Sequence, residues 1–280
     1  MAPLYKKALI IGATSGIGEA LAAKLLENGT SVIVTGRRQD RLDAFTSAHS
    51  NTSTNASATA VAFDITQLRS IPSFAASIVE AHPDLDCLVL NAGVQRAFDF
   101  ADPAAVDLAA FDAELATNYT APVHLVTAFL PHLQKLSREG DGKSETHLVF
   151  VGASLALVPS LVRTPGYNAS KAALHSWITN MRQQLKDAGD RVRVVEVFPP
   201  AVQTELHDAK HQPDLVNGGE IGMPLPAYTE QMYVGLEKGS EQFAIGHAQA
   251  WLENGFEAER QKLFLEQKDI IKGALAKYLK

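Results

Sequence analysis

In the run Tyr167-Asn168-Ala169-Ser170-Lys171, a phenol and an ammonium stand four positions apart, which puts them on one face of a helix. Thirteen residues before the tyrosine, Ser154 closes Val151-Gly152-Ala153-Ser154 behind a strand-like run, and Asn118 lies in the long helical pattern that precedes that strand. A free phenol titrates near ~10, and a cation about 5 Å away at an effective dielectric of about 20 favours the phenolate by roughly 3 kcal/mol, or about 2 pK units. Lys171 is therefore expected to bring Tyr167 close to working pH, where it can give and take a proton. Taken alone, tyrosine and lysine at helical spacing read better as a surface pair. The serine spacing and the glycine loop described next turn the four residues into one constellation. Hydrolysis through Ser154 is less attractive, because no Gly-x-Ser-x-Gly elbow surrounds it. His207 and His211 have helical spacing but no further ligands and no His-Glu-x-x-His motif, so they read as solvated loop histidines and no metal site is expected.

A second set of residues has the types needed to hold phosphates. The first strand-like run ends in Ile11-Gly12-Ala13-Thr14-Ser15-Gly16-Ile17-Gly18 and enters a helical pattern, so the glycines allow a tight turn and close approach of backbone N–H groups to an anion. The spacing is Gly-x3-Gly-x-Gly rather than Gly-x-Gly-x2-Gly, and a plain glycine-rich turn is the alternative. After the second strand come Gly36-Arg37-Arg38, where an acid would be expected if bare ribose hydroxyls were to be bound, and no acid occurs before Asp40. Two guanidiniums there suit a 2′-phosphate, or they are a solvated pair at a helix start. Asp64, in Phe63-Asp64-Ile65-Thr66, is placed either to accept a hydrogen bond from adenine or to cap a turn. Asn91-Ala92-Gly93 is small enough for close approach of a ligand, or is a simple turn.

These residues need strands to end beside one another. Strand-like runs fall at Ala8 to Ile11, Ser31 to Thr35, Thr59 to Phe63, Leu88 to Leu90, His147 to Val151, Val192 to Phe198 and Phe243 to Ile245. Helical patterns lie between them at Gly16 to Glu27, Asp40 to Ala48, Ser70 to Ala81, Phe111 to Leu136, Tyr167 to Lys186 and Thr229 to Leu236. The alternation predicts an α/β fold: a doubly wound, Rossmann-type parallel sheet of about seven strands with helices on both faces. Thr46 to Thr59 reads as a surface connection. Residues 1–250 are expected to form a single catalytic domain, with the proline-rich stretch 199–226 as a substrate loop and 251–280 as an amphipathic helical extension marked by Phe256, Leu263, Ile270, Leu275 and Leu279.

Composition narrows the classes. A 280-residue chain with 46% hydrophobic and 20% charged residues is an ordinary globule, and a net charge of -6 gives nucleic acid little to hold. The lone Cys87 cannot close an intramolecular disulfide, the chain has no membrane-length apolar run, and its start does not read as a signal peptide, so a cytoplasmic location is expected.

Taken together, Gly12-x3-Gly16-x-Gly18, Asp64, Asn91-Ala92-Gly93, Asn118, Ser154, Tyr167-x3-Lys171 and Pro199 to Thr204 resemble the short-chain dehydrogenase/reductase family, in order across residues 8–204. The resemblance implies an NAD(P)-binding sheet, Tyr167 as acid and base, Ser154 as the group orienting a carbonyl, Lys171 on the nicotinamide ribose and Asn118 in a water relay. With Arg37 and Arg38 in place of an acid, the cofactor is expected to be NADP(H). As hydride reaches a carbonyl its oxygen gains charge, which Ser154 and Tyr167 can meet with hydrogen bonds. Pro200 replaces the glycine of the usual Pro-Gly pair, while Val202 and Thr204 keep the pattern that holds the carboxamide. The run Leu155 to Val162 would line the substrate side with apolar groups or pack as core, which points to a hydrophobic ketone or aldehyde. The rival readings are a related epimerase or dehydratase, disfavoured by the lack of a larger substrate domain, and a non-catalytic NADPH-sensing or scaffold protein. The partners expected are a small carbonyl or alcohol substrate and, from the apolar content of the Phe111 to Leu136 and Tyr167 to Lys186 helices, a second copy of the chain, with neither nucleic acid nor membrane.

Overall fold

The computed structural model describes residues 3–50, 54–139 and 145–278. Strands β1 (Lys7–Ile11), β2 (Ser31–Gly36), β3 (Ala58–Ala62), β4 (Cys87–Leu90), β5 (Thr146–Val151), β6 (Val192–Phe198) and β7 (Gln242–Ala244) form one sheet in the order β3-β2-β1-β4-β5-β6-β7. Every pair in it is parallel. Each strand contributes alternately to two cores: Ala8 and Ile10 bury on one face, Leu9 and Ile11 on the other. The first face is covered by α1 (Gly16–Glu27), α2 (Gln39–Ala48) and α7 (Leu225–Glu237), and the second by α3 (Ile71–Ala81), α5 (Ala121–Arg138) and α6 (Pro165–Asp187). The sheet is the one expected, with strand ends shifted by a residue or so. Thr46 to Ala48 belong to α2 and Ala58 and Thr59 to β3, so the expected connection is shorter; its residues 51–53 lie outside the described residues.

The chain winds outward from β1 to β3 and then returns to run from β4 to β7, so β1 and β4 are neighbours whose exits lead to opposite halves of the sheet. Ile11 is level with both Thr35 and Leu90, and Leu90 with Phe150. The residues following these strands therefore emerge side by side at one rim, where the crevice of an open parallel sheet forms.

One expected helix is not continuous. Phe111 to Leu136 divides into α4 (Leu108–Leu115), a π turn (Ala116–Thr120) and α5. The widened turn carries Asn118, whose side chain bonds away from the helix, to the Val94 backbone and to Ser170. Nor do α5 and α6 leave large apolar side chains exposed, although α4 exposes Leu108 and Leu115; beyond the short α8 (Gln249–Glu253), the densest exposed set lies on α9 (Phe256–Leu275), at Leu263, Leu265, Ile270, Ile271 and Leu275. Leu279 lies outside the described residues.

The start of α9 is tied to the sheet by a buried relay. His175 of α6 shares Nδ1 with Glu196 of β6 at 2.8 Å and Nε2 with Glu257 of α9 at 3.2 Å, and Arg260 Nε donates to Glu257 at 2.7 Å. Burial alone would push the imidazole down, but the hydrogen bonds to both carboxylates outweigh it and hold His175 up at about 9. Burial works the other way on Glu257, yet hydrogen bonds from His175, Arg260 and Gln261 hold it down at about 2. The imidazolium's contribution to stability is therefore complete below the ordinary histidine value and is lost as pH rises through about 9; that of Glu257 is complete above the ordinary carboxylate value and is lost as pH falls through about 2. Denaturant titrations should accordingly show stability declining between neutral pH and about 9.5. Glu257→Ala, which leaves a buried cation short of a partner, should cost on the order of 3 kcal/mol at pH 7 and speed amide exchange along α9.

Candidate active site

A cavity of about 840 Å³ opens at the rim where β1, β4, β5 and β6 end, and Ile11, Asn91, Val151 and Pro199 all line it. The first of its walls is the glycine loop. Gly12 has φ +83° and Gly16 φ +59°, so both hold conformations that a side chain disfavours. A Cβ on Gly12 would stand 2.6 Å from the Ala92 Cα, and one on Gly18 2.3 Å from the Gly12 carbonyl oxygen. Asn91 locks this approach by donating from Nδ2 to the Gly12 carbonyl at 2.7 Å. Gly18 thus serves packing between the loop and the end of β4 and, unlike the other expected cofactor residues, is not part of the cavity wall. Thr14, Ser15, Gly16 and Ile17 line it, as do Ala92 and Gly93.

Arg37 and Arg38 both reach the cavity but differ in company. Arg38 donates to the Thr14 and Ser15 hydroxyls at 3.0 and 2.7 Å and pairs with Glu205 at 2.6 Å. Arg37 is exposed and makes no hydrogen bond or ion pair among the described residues. Asp64 and Ile65 lie on the same wall. One Asp64 oxygen accepts from both the amide and the hydroxyl of Thr66, at 3.0 and 2.7 Å, so the turn-capping role is present.

The opposite wall carries Ser154, Tyr167 and Lys171. Ser154 opens a short 3₁₀ turn and is fixed by its amide, which donates to the Pro199 carbonyl at 2.9 Å. Tyr167 and Lys171 sit in the first turns of α6, with Lys171 Nζ 5.6 Å from the tyrosine ring centre and donating to the Val151 carbonyl at 2.9 Å. Burial pushes Lys171 down to about 8, partly offset by Glu196. Tyr167 is not brought towards neutral pH as expected. Burial raises it above the ordinary phenol value and the carboxyl group of Glu114 adds to the rise. The site therefore presents a phenol that keeps its proton.

Asn118 does not reach the cavity. Its Oδ1 accepts from the Val94 amide at 2.9 Å, while Nδ2 donates to the Val94 carbonyl at 2.8 Å and to the Ser170 hydroxyl at 3.0 Å. It stands behind the wall, binding the turn after β4 to α6. One helical turn before it, Glu114 is fully buried against α6, where a Cβ on Gly166 would come within 2.6 Å of its Oε1. Burial pushes Glu114 up to about 7 against the pull of the Arg96 amide and guanidinium.

Pro199, Pro200, Val202 and Thr204 line the cavity, as do residues of the following stretch as far as Ile221, whereas Leu225 and Pro226, the end of the expected loop, begin α7. Val202 bridges to Met223, and Gln212 donates to Gln95 at 2.8 Å, so the stretch is tied down at both levels. Leu155, Val158 and Leu161 give the wall its apolar part, while Ala156 packs into a small core with Phe198 and Val162 points to solvent. The histidines expected to be solvated are not both so: His207 is buried beside Gln212, and His211, paired with Asp208, also lines the cavity. Among the described residues no cluster has metal-ligand geometry.

Sequence reading missed Gln95, Arg96, Glu114, Arg163, Glu205 and Trp251. Five of these had a local signal: Gln95 and Arg96 nearly adjoin the Asn91-Ala92-Gly93 turn, Glu114 precedes Asn118 by one helical turn, Arg163 follows the Leu155 to Val162 run and Glu205 follows Thr204. Trp251 is brought to the cavity by an element remote in sequence.

A match to the family described as short chain dehydrogenase covers residues 6–214. The uncharacterized oxidoreductase DltE of Bacillus subtilis is 33% identical over 256 residues, 91% of this chain and 94% of its own length. The NADP-dependent 3-hydroxy acid dehydrogenase YdfG of Salmonella typhi is 29% identical over 213 residues, 76% of this chain and 79% of its own. Among solved structures, a short-chain dehydrogenase from Sphingobium yanoikuyae in complex with NADPH superposes with a TM-score of 0.77 at 20% identity, covering 92% of this chain and 94% of that one. One from Burkholderia cenocepacia in complex with NADP gives 0.70 at 25% identity, covering 95% and 98%. With its sheet, its glycine loop and its Ser154, Tyr167 and Lys171 on one wall, the chain belongs to the short-chain dehydrogenase family of oxidoreductases.

Proposed function

We propose that the protein is an NADP(H)-dependent carbonyl reductase or secondary-alcohol dehydrogenase. The observation that carries this reading is the convergence of Ser154, Tyr167 and Lys171 on a cavity whose other wall is the glycine loop with an unpaired guanidinium at its far end. The residues fit a dinucleotide: a Cβ at Gly16 would press on Thr204 at 3.1 Å, so a bare backbone stands at the start of α1, and Arg37 pairs with no anion among the described residues. Relatives named for NADP dependence and for complexes with NADP or NADPH support the same cofactor.

When bound, the reduced nicotinamide supplies a hydride to the carbonyl carbon. The chain's own groups manage the charge and the proton. Ser154 and Tyr167 donate hydrogen bonds to the carbonyl oxygen, and these strengthen as that oxygen becomes alkoxide-like. Because Tyr167 holds its proton firmly, transfer waits until the oxygen is the stronger base. Lys171, still mostly cationic at neutral pH, stabilises the phenolate left behind and holds the ribose side of the site. Asn118 acts from behind this wall by fixing Val94 and Ser170. Asp64 and Ile65 would hold the adenine end of the dinucleotide, Asn91 to Gly93 its middle, and Pro199, Val202 and Thr204 its nicotinamide end. A homo-oligomer and a cytoplasmic location belong to the same reading, supported by a buried Cys87 thiol and by the apolar residues α9 exposes. No helix among the described residues is long and apolar enough to cross a membrane.

Tyr167→Phe should leave NADPH affinity nearly intact while lowering turnover by at least about 100-fold, the scale of general acid catalysis; steady-state NADPH oxidation paired with a cofactor titration reads both. Arg37→Ala should weaken NADPH binding by about 10- to 150-fold, one charge-assisted contact, and barely change NADH affinity. Equal losses for the two cofactors would show that Arg37 does not read the 2′-phosphate.

A further inference from the structure

The wall of the cavity is far more cationic than the chain that forms it. The protein carries a net charge of -6, yet Asp64 and Glu205 are the only carboxylates among the described lining residues, and both stand at the cofactor end. Glu205 is moreover already paired with Arg38 and Arg41. Away from Asp64 and Glu205 the described lining residues include Arg96, Arg163 and Lys210 and no further Asp or Glu. These three belong to segments joined to one another. The Phe98 amide donates to the Arg163 carbonyl at 3.0 Å, and Gln212, two residues beyond Lys210, donates to Gln95 at 2.8 Å. Arg163 is committed to Gln212 and Asp214. Arg96 and Lys210 make no side-chain hydrogen bond or ion pair among the described residues, and Arg96 Nη1 is buried without a partner.

Arg96 Nη1 faces the interior, where the Glu114 oxygens also lack a hydrogen-bond partner, while the rest of the half-buried guanidinium is part of the cavity wall with no carboxylate of the wall engaging it. We propose that this end of the cavity is an anion subsite, with Arg96 as the specificity-determining residue and Lys210 assisting, for a carbonyl substrate that carries a carboxylate or sulfonate. The proposal rests on the oxidoreductase reading above and names the substrate class it serves. The chain's own anion offsets Arg96 only in part: burial pushes the carboxyl of the fully buried Glu114 up to about 7 against the pull of Arg96, so near neutral pH it is about half protonated. Leu155, Val158 and Leu161 then face the short apolar segment between the carbonyl and the acid. A planar guanidinium suits the two oxygens of a carboxylate or sulfonate better than an ammonium does, which separates the part of Arg96 from that of Lys210.

The test compares straight-chain keto and aldehyde acids of graded length, and the matching sulfonates, each against its methyl ester, by NADPH oxidation and by quenching of Trp251, which lines the cavity. Wild-type enzyme should favour the anion of the best pair by about 10- to 100-fold in kcat/KM, the size of one charge-assisted contact. Arg96→Gln should collapse that ratio towards one, Arg96→Lys should restore part of it, and Lys210→Gln should lower it only a few-fold. Esters reduced as well as their acids, or an acid-to-ester ratio unchanged in Arg96→Gln, would overturn the subsite while leaving the oxidoreductase reading standing. Anion-dependent quenching that Arg96→Gln removes, with no hydride transfer to any member, would keep the subsite and overturn the oxidoreductase reading. No preference for any anion in either turnover or quenching overturns the proposal.

Discussion

Two cationic side chains, Lys171 and His175, lie buried one turn apart on α6, and both depend on Glu196, a fully buried carboxylate on β6. Removing charge from water in this way is tolerated only when the groups compensate each other. The pairing fixes α6 against the sheet in one register and thereby fixes where Tyr167 and Lys171 stand relative to Val151 and Ser154. It also explains Gly152, where a Cβ would stand 3.3 Å from the Glu196 Oε1 and 3.1 Å from the Val197 carbonyl oxygen. Through Glu257 the same carboxylate–imidazole relay reaches α9, so the end of the chain is held by the charge pairing that supports the site.

The second half of the site follows from the order of strands. Because β1 and β4 are adjacent while their chains leave in opposite directions, a gap forms beyond their ends, and small residues are needed wherever the two exits touch. Gly12 and Gly18 answer to Asn91 and Ala92 in that contact; Gly16 leaves room towards Thr204. The loop therefore has a structural and a ligand-facing part. Glu205 divides the arginines in a comparable way: it occupies Arg38, which clasps the loop, and leaves Arg37 free at the rim.

Much of this was legible in sequence because it is local. The period of apolar residues set all seven strands to within a residue or two, and the spacing of Tyr167 to Lys171 placed both on one wall. What was not legible depends on partners far apart in the chain. Glu196 is one charge in an apolar strand until His175, 21 residues before it in sequence, is packed against it and in turn pairs with Glu257, 82 residues further along. The break at Asn118 does not show in helix periodicity, although Pro122, four residues on, has no N–H to return to the Asn118 carbonyl; the Asn118 side chain then bonds outward to Val94 and Ser170. The direction in which Tyr167 is shifted was misjudged for a related reason: the i, i+4 lysine is evident from spacing, whereas the burial that dominates, and the carboxyl of Glu114, come from packing. The place of Arg96 in the cavity wall, with only the buried Glu114 carboxyl near it, likewise emerges only from packing.

The central claim is that α6 delivers a proton from Tyr167, supported by Lys171, to a carbonyl that receives hydride from the nicotinamide side of the cavity. Its most direct test is label transfer: enzyme, NADPH deuterated at the transferable C4 position and a panel of carbonyl compounds, with the alcohol products weighed by mass spectrometry. Native enzyme should place one deuterium at the carbinol carbon, and Tyr167→Phe, which keeps the buried Lys171 and with it NADPH affinity, should lose nearly all of that transfer. Undeuterated products throughout, or undiminished transfer in Tyr167→Phe, would contradict it.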